Sequence, residues 1–123
     1  MTNDDIVSAF IAEWSNAKPD VAHLASYFTE DAVYHNMPTA PVTGRAAIQQ
    51  TFAGIISQVE PRGWEILSQV SSGDIVFNER IDRFAKGDKS VELPVVGVFE
   101  LRDGKIAAWR DYFDMSTWVK ALA

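Results

Sequence analysis

Acids and arginines stand inside two stretches that otherwise have the residue types of β-strands, Glu79-Arg80-Ile81-Asp82 and Trp109-Arg110-Asp111-Tyr112-Phe113-Asp114. Successive side chains of a strand point to opposite faces, so Arg80 and Asp82 share one face, and Asp111 shares its face with Trp109 and Phe113 rather than with Arg110. Tyr34 and Asn36, two residues apart in a shorter β-like segment, share a face in the same way. Burying ions is costly unless they pair, and charges kept on an apolar framework are candidates for chemistry. Two carboxylates with an arginine between them suit an addition of water, one carboxyl deprotonating the water while the other protonates the leaving oxygen. An isolated Asp titrates near ~3.9, so the acid must be kept protonated by desolvation and by the charge of its partner. Arg80 pulls the other way, and Asp82, Arg80 and Asp111 are expected to titrate as one coupled unit holding one proton.

Each of these residues also has a purely structural reading. Arg80 and Asp82 would serve as an ion pair on a sheet, Tyr34 as a half-buried aromatic, and Asn36 as a strand-end residue. Asp114 reads as the cap of a following helix and Arg110 as a cross-strand partner, so neither enters the candidate site. His23 falls in a short helix and His35 points away from Tyr34 and Asn36 by parity, which leaves no set of ligands for a metal, and none is expected. No Gly-rich phosphate loop occurs, and no nucleotide or other cofactor is implied.

The elements that must position these groups are legible from periodicity. Ile6, Val7, Phe10, Ile11 and Trp14 recur at helical spacing behind Asn3-Asp4-Asp5, which offer a cap and first-turn acids. Pro19 opens a second, short helix with Val21, Leu24, Tyr27 and Phe28, which Thr29-Glu30-Asp31 should stop before a brief strand over 32–36. Met37 to Thr43 holds two prolines and reads as a loop; Thr43-Gly44 then opens a third helix with Ile48, Phe52, Ile55, Ile56 and Val59 on one side, closed by Pro61 and Gly63. Strands are expected near 64–71, 75–84, 91–101 and 105–113, joined by hairpins at Ser71-Ser72-Gly73-Asp74, Lys86-Gly87-Asp88 and Arg102-Asp103-Gly104. The stretch 115–122 fits a terminal helix or an extended tail equally well. Helices followed by an antiparallel meander predict an α+β domain spanning 1–123, its helices covering one face of a curved sheet.

Composition sets outer bounds. A chain of 123 residues with 47% hydrophobic content suits one core. Its net charge of −6 opposes the phosphate neutralisation that nucleic-acid and anionic-membrane binding require. No apolar run approaches the roughly 20 residues of a spanning helix. The start is acidic where a signal peptide would be basic, so the expectation is a soluble cytoplasmic protein. The absence of cysteine removes disulfides, thiol nucleophiles and zinc-thiolate sites.

Tyr34-His35-Asn36-Met37-Pro38, Glu79-Arg80-Ile81-Asp82, and the run from Gly97-Val98-Phe99 through Gly104-Lys105-Ile106 to Trp109-Arg110-Asp111-Tyr112-Phe113-Asp114 resemble the limonene-1,2-epoxide hydrolase family. The likeness is closer than membership of the wider nuclear-transport-factor-2-like (NTF2-like, SnoaL-like) superfamily. It implies a cone-shaped α+β fold with a strongly curved mixed sheet around a deep pocket, commonly as a homodimer, acting without a cofactor on a small hydrophobic epoxide and water to give a vicinal diol. By the same resemblance Asp111 is the base that activates water, Tyr34 and Asn36 hold that water, Asp82 is the acid that protonates the epoxide oxygen, and Arg80 bridges the two aspartates. Met37, Leu93, Trp109 and Phe113 are the candidate substrate contacts, with Ile66 and Val95 further influences on pocket shape. A short N-terminus and the polar Lys86-Gly87-Asp88-Lys89 hairpin depart from the pattern and bear on substrate size and the pocket rim. Two alternatives stand beside this reading: an isomerase or cyclase of the same superfamily acting on a carbonyl substrate, and a non-catalytic ligand-binding module.

Overall fold

The first helix forms because its entrance is doubly capped. The Thr2 hydroxyl accepts from the Asp5 N–H and the Asp5 carboxylate accepts from the Thr2 N–H, so the cap is Thr2 and not the Asn3-Asp4-Asp5 run itself. In the computed structural model, which describes all 123 residues, this helix is α1 (Asn3–Glu13). It is followed by α2 (Val21–Ala25), β1 (Phe28–Asn36), β2 (Val42–Thr43), α3 (Arg45–Gln58), β3 (Glu60–Ser72), β4 (Ile75–Lys86), β5 (Lys89–Arg102), β6 (Lys105–Tyr112) and α4 (Met115–Leu122). The strands make one curved, unclosed sheet in the order β2-β1-β6-β5-β4-β3. It is mixed, since β1 pairs with β6 in parallel and every other pair is antiparallel.

Several boundaries differ from those the sequence predicts. Thr29-Glu30-Asp31 does not stop a helix: α2 ends at Ala25 and the chain is already extended from Phe28. The register with β6 slips between Phe28 and Val33, so this polar segment is accommodated as a bulge on the strand. Asp20 rather than Pro19 starts α2, its carboxylate accepting from the Ala22 and His23 N–H groups. Within the expected loop, Val42–Thr43 adds a two-residue edge strand. Pro61 and Gly63 lie inside β3 rather than closing α3. They are tolerated because β3 is the outermost strand on its side, and Gly63, at φ +93°, sits where the register with β4 shifts between Pro61 and Trp64. The last stretch is helical, capped by Asp114, which accepts from the Ser116 N–H at 2.9 Å.

The core lies between the helices and the inner face of the sheet. Phe10 of α1 and Trp14, which caps its C-terminal end, meet Phe52 of α3 and the strand residues Phe28, Phe99 and Trp109, all essentially without solvent exposure. A smaller cluster of Val59, Phe84, Val91, Leu93 and Val95 receives Trp118 of α4. Between the two clusters the inner sheet face carries four buried polar side chains, Asn78, Arg80, Asp82 and Asp111. No helix is long and apolar enough to cross a membrane.

Candidate functional site

Alternation along β4 buries Asn78, Arg80, Asp82 and Phe84 while Glu79 stays exposed, and alternation along β6 buries Trp109 and Asp111. These strands are not neighbours, for β5 runs between them. Gly97 resolves the separation: it is the β5 residue in register with both Asn78 and Asp111. Arg80 begins opposite Val95, and its side chain crosses β5 over Gly97 to reach Asp111. A Cβ at position 97 would lie 2.4 Å from Arg80 Nη1, 2.8 Å from Asp111 Oδ1 and 3.0 Å from Asn78 Oδ1. Only glycine leaves room for this crossing.

The guanidinium is held on all sides. Nε and Nη2 donate to the two oxygens of Asp82, each at 3.0 Å, Nη2 also donates to Asp111 Oδ2 at 2.7 Å, and Nη1 donates to Asn78 Oδ1 at 2.8 Å. The rings of Trp64, Phe99 and Trp109 surround it at 5.5 to 5.9 Å. Asp111 has a second donor, the Trp109 indole N–H, which reaches Oδ1 at 2.7 Å. That indole is clamped between Tyr34 and Phe99, stacked on both, so the carboxylate it holds has little freedom. Tyr34 and Asn36 face the same way on β1, where Asn36 is in register with Asp111, and Asn36 Nδ2 donates to the Tyr34 hydroxyl at 2.9 Å.

Electrostatics follow from burial. Desolvation raises the Asp82 carboxyl to about 6 against the opposing pull of Arg80. It also raises Asp111, against Arg80 and the Trp109 N–H. Burial works against the charge of Arg80, but the two aspartates outweigh it and the guanidinium stays charged. Burial, then the charge of Asp111, raises the Tyr34 hydroxyl far above its usual value, leaving it a neutral donor. Two carboxylates and one fixed cation reach zero net charge, the composition that costs least in a dry interior, when the pair holds one proton, the state that the raised Asp82 favours below about 6.

A cavity of about 190 Å³ opens onto this cluster. Its polar lining is Asn36, Asp82 and Asp111, with the ring and hydroxyl of Tyr34 beside them. The rest is apolar: Trp14 and Ile55 from the helices, Trp64, Phe84, Leu93 and Val95 from the sheet, and Phe113, Met115 and Trp118 around α4. Arg80 does not line it; the guanidinium lies behind the carboxylates and bridges them from the protein side. Of the four substrate contacts expected from sequence, Leu93 and Phe113 line the cavity and Met37 and Trp109 do not. Met37 sits on the surface after β1, 37% exposed, where the chain turns away. Trp109 is fully covered and touches Asp111 instead. Val95 lines the cavity, whereas Ile66 packs against the larger core.

Asn78, Gly97 and the aromatic wall of Trp14 and Trp64, stacked 4.4 Å apart, were not among the sequence candidates. Parity placed Asn78 with Arg80 and Asp82, a signal that was available. The need for glycine at position 97 depends on which strands flank β5, and the helix contribution to the cavity depends on tertiary packing. Arg110 pairs with Glu100 on the outer face. Neither histidine takes part: His23 meets Glu13 at 2.6 Å, and a ring nitrogen of His35 meets the Thr39 carbonyl.

A family model described as the limonene-1,2-epoxide hydrolase catalytic domain matches residues 1–123. Epoxide hydrolase EphG of Mycobacterium tuberculosis is 32% identical over 119 residues, which cover 94% of this chain and 76% of that one. The solved structure of a limonene-epoxide-hydrolase-like (LEH-like) epoxide hydrolase from M. tuberculosis superposes with a TM-score of 0.81 at 30% identity, covering 98% of this chain and 88% of that chain. A protein of ketosteroid isomerase-like fold from Catenulispora acidiphila gives a TM-score of 0.85 at 22% identity, covering 98% and 93%, a likeness of fold alone.

Proposed function

The chain belongs to the limonene-1,2-epoxide hydrolase family and is an epoxide hydrolase, and from that premise we propose that it adds water to a small apolar epoxide in one concerted acid and base step, giving a vicinal diol. The observation that supports this most is the pair of buried aspartates, both facing one apolar cavity and joined from behind by a single guanidinium.

Asp111 is the base. It is in register with Asn36 and is therefore the aspartate beside the Tyr34–Asn36 pair, and the Arg80 and Trp109 donors on its two oxygens oppose the burial that raises it. Water is held between Asp111, the Tyr34 hydroxyl and the side-chain oxygen of Asn36. Asn36 Nδ2 is already committed to Tyr34, which leaves that oxygen free to accept. As the water oxygen bonds to an oxirane carbon, one water proton passes to Asp111, the carbon–oxygen bond of the ring breaks, and the departing oxygen takes the proton of Asp82. The charges of the aspartates exchange while their sum with Arg80 stays constant, so no net charge is created in a dry site. The cycle closes when the proton returns from Asp111 to Asp82. Each positioned acid or base contributes about 10²–10⁴-fold, in addition to the gain from holding the reactants together.

The test is diol formation from a panel of apolar epoxides by the wild-type protein and by Asp82→Asn and Asp111→Asn. Each variant is expected to keep its fold by circular dichroism and to lose at least about 10³-fold in kcat. Ordinary turnover in either folded variant overturns the roles given to these aspartates.

A further inference from the structure

Arg80 spends Nε and Nη2 on the aspartates, but Nη1 points away from the cavity to Asn78, which is buried and does not line it. Asn78 Nδ2 donates to Gln69 Oε1 at 3.1 Å, these two residues being in register across β3 and β4. Gln69 Nε2 donates to Ser8 Oγ at 3.1 Å and to the Asp4 backbone carbonyl at 3.3 Å, both on α1. The carbonyl can only accept, so it fixes which end of Gln69 is the amine. That fixes which end of Asn78 is the amine, and Asn78 therefore presents oxygen to the guanidinium. Turning either amide around would set N–H against N–H at the buried Asn78, where water does not replace the lost partner.

We infer that Gln69 and Asn78 are positioning residues for the hydrolytic reaction: a one-directional hydrogen-bond chain from the first turns of α1 sets the angle of the Arg80 guanidinium and, through it, the spacing of the acid and the base. This rests on the hydrolase reading given above. The geometry makes the anchor consequential. Asp82 and Asp111 share Nη2, and without Nη1 held by Asn78 the guanidinium is free to turn about its Cδ–Nε bond, which carries Nη2 away from Asp111. Asp111 then faces its proton with less compensation. A chain that served only to attach α1 to the sheet would alter stability and leave the titration of the aspartates unmoved.

The experiment compares wild type with Gln69→Met, Asn78→Ala and the double variant. It reads kcat and KM for diol formation and, separately, the infrared band of the protonated carboxyls as pH is raised. Gln69→Met is expected to lower kcat about tenfold with KM unchanged, part of the hundredfold that a displacement of ~1 Å costs. Its carboxyl band should persist to higher pH than in wild type, and the double variant should be no slower than Asn78→Ala alone. Wild-type kcat and band titration in folded Gln69→Met, or losses that multiply independently in the double variant, overturn the inference. Should Asn78→Ala not fold, Gln69→Met decides the matter by itself. Absence of diol formation by the wild-type protein would instead sink the hydrolase reading, while the infrared titration still reports on the chain.

Discussion

Replacing Gly97 with alanine tests the site at its tightest point. The new Cβ would stand 2.4 Å from Arg80 Nη1, whereas ordinary contact begins near 3.4 Å, so the guanidinium must withdraw by about 1 Å or β5 must lift off its neighbours. Withdrawal stretches the 2.7 Å bond from Nη2 to Asp111 to a length at which it no longer counts as a hydrogen bond. Loss of one such charged bond costs about 1.5–3 kcal/mol, and overpacking an interior site costs a similar ~1–3 kcal/mol. A melting temperature lower by roughly 10 °C follows for a domain of this size. A reacting group misplaced by ~1 Å should lower kcat about a hundredfold. The assays are thermal unfolding by circular dichroism and initial rates of diol formation. The decisive control is Arg80→Lys, which has no Nη1 to collide with, so Gly97→Ala should cost less stability in that background than in wild type, the remainder coming from the close approach to Asp111 Oδ1 at 2.8 Å. Equal costs in the two backgrounds, or wild-type kcat in Gly97→Ala, would refute the crossing of β5 as the reason for glycine.

Trp109→Phe keeps the ring between Tyr34 and Phe99 but removes the donor to Asp111 Oδ1, and should lower kcat about tenfold with little change in KM; an unchanged kcat would show that this bond does not orient the base. Stability should also depend on pH through Asp82, which titrates at about 6 when folded and at 3.8 in its ordinary state. Between those values the folded chain holds a proton that the unfolded chain has released, so stability declines as pH rises through that window, by a few kcal/mol at most. The Asp82→Asn variant should show a smaller decline, the part left coming from Asp111, which burial also raises, and melting curves of the two proteins that run parallel from pH 4 to 6.5 would contradict it.

Strand parity made most of the site legible. Residues two apart on a strand must share a face, which grouped Arg80 with Asp82, Tyr34 with Asn36 and Asp111 with Trp109 before any fold was known, and the resemblance supplied the fold that brings the three pairs together. Patterns of single residues misled where tertiary context decides. Pro61 and Gly63 read as a stop between elements, yet an edge strand needs no N–H from Pro61 and uses Gly63 for a bulge. Thr29-Glu30-Asp31 looks like a turn and becomes part of a bulged strand. Trp109 shares a face with Asp111, as parity requires, but a large ring packed on two aromatic neighbours fills the core instead of lining the cavity. Met37 follows the last strand residue of its segment, where alternation no longer governs direction. The apolar cavity wall contributed by Trp14, Ile55 and Trp118 comes from three helices whose docking no local pattern encodes.

A single turnover in ¹⁸O-water, with enzyme in excess over epoxide, addresses the direct attack of water most plainly. With water as the nucleophile, mass spectrometry should find one labelled oxygen in the diol from the first turnover and none in any protein carboxyl. Unlabelled diol accompanied by ¹⁸O in Asp82 or Asp111 would mean that a carboxylate attacks the ring and an ester is hydrolysed afterwards, and the concerted account would be wrong.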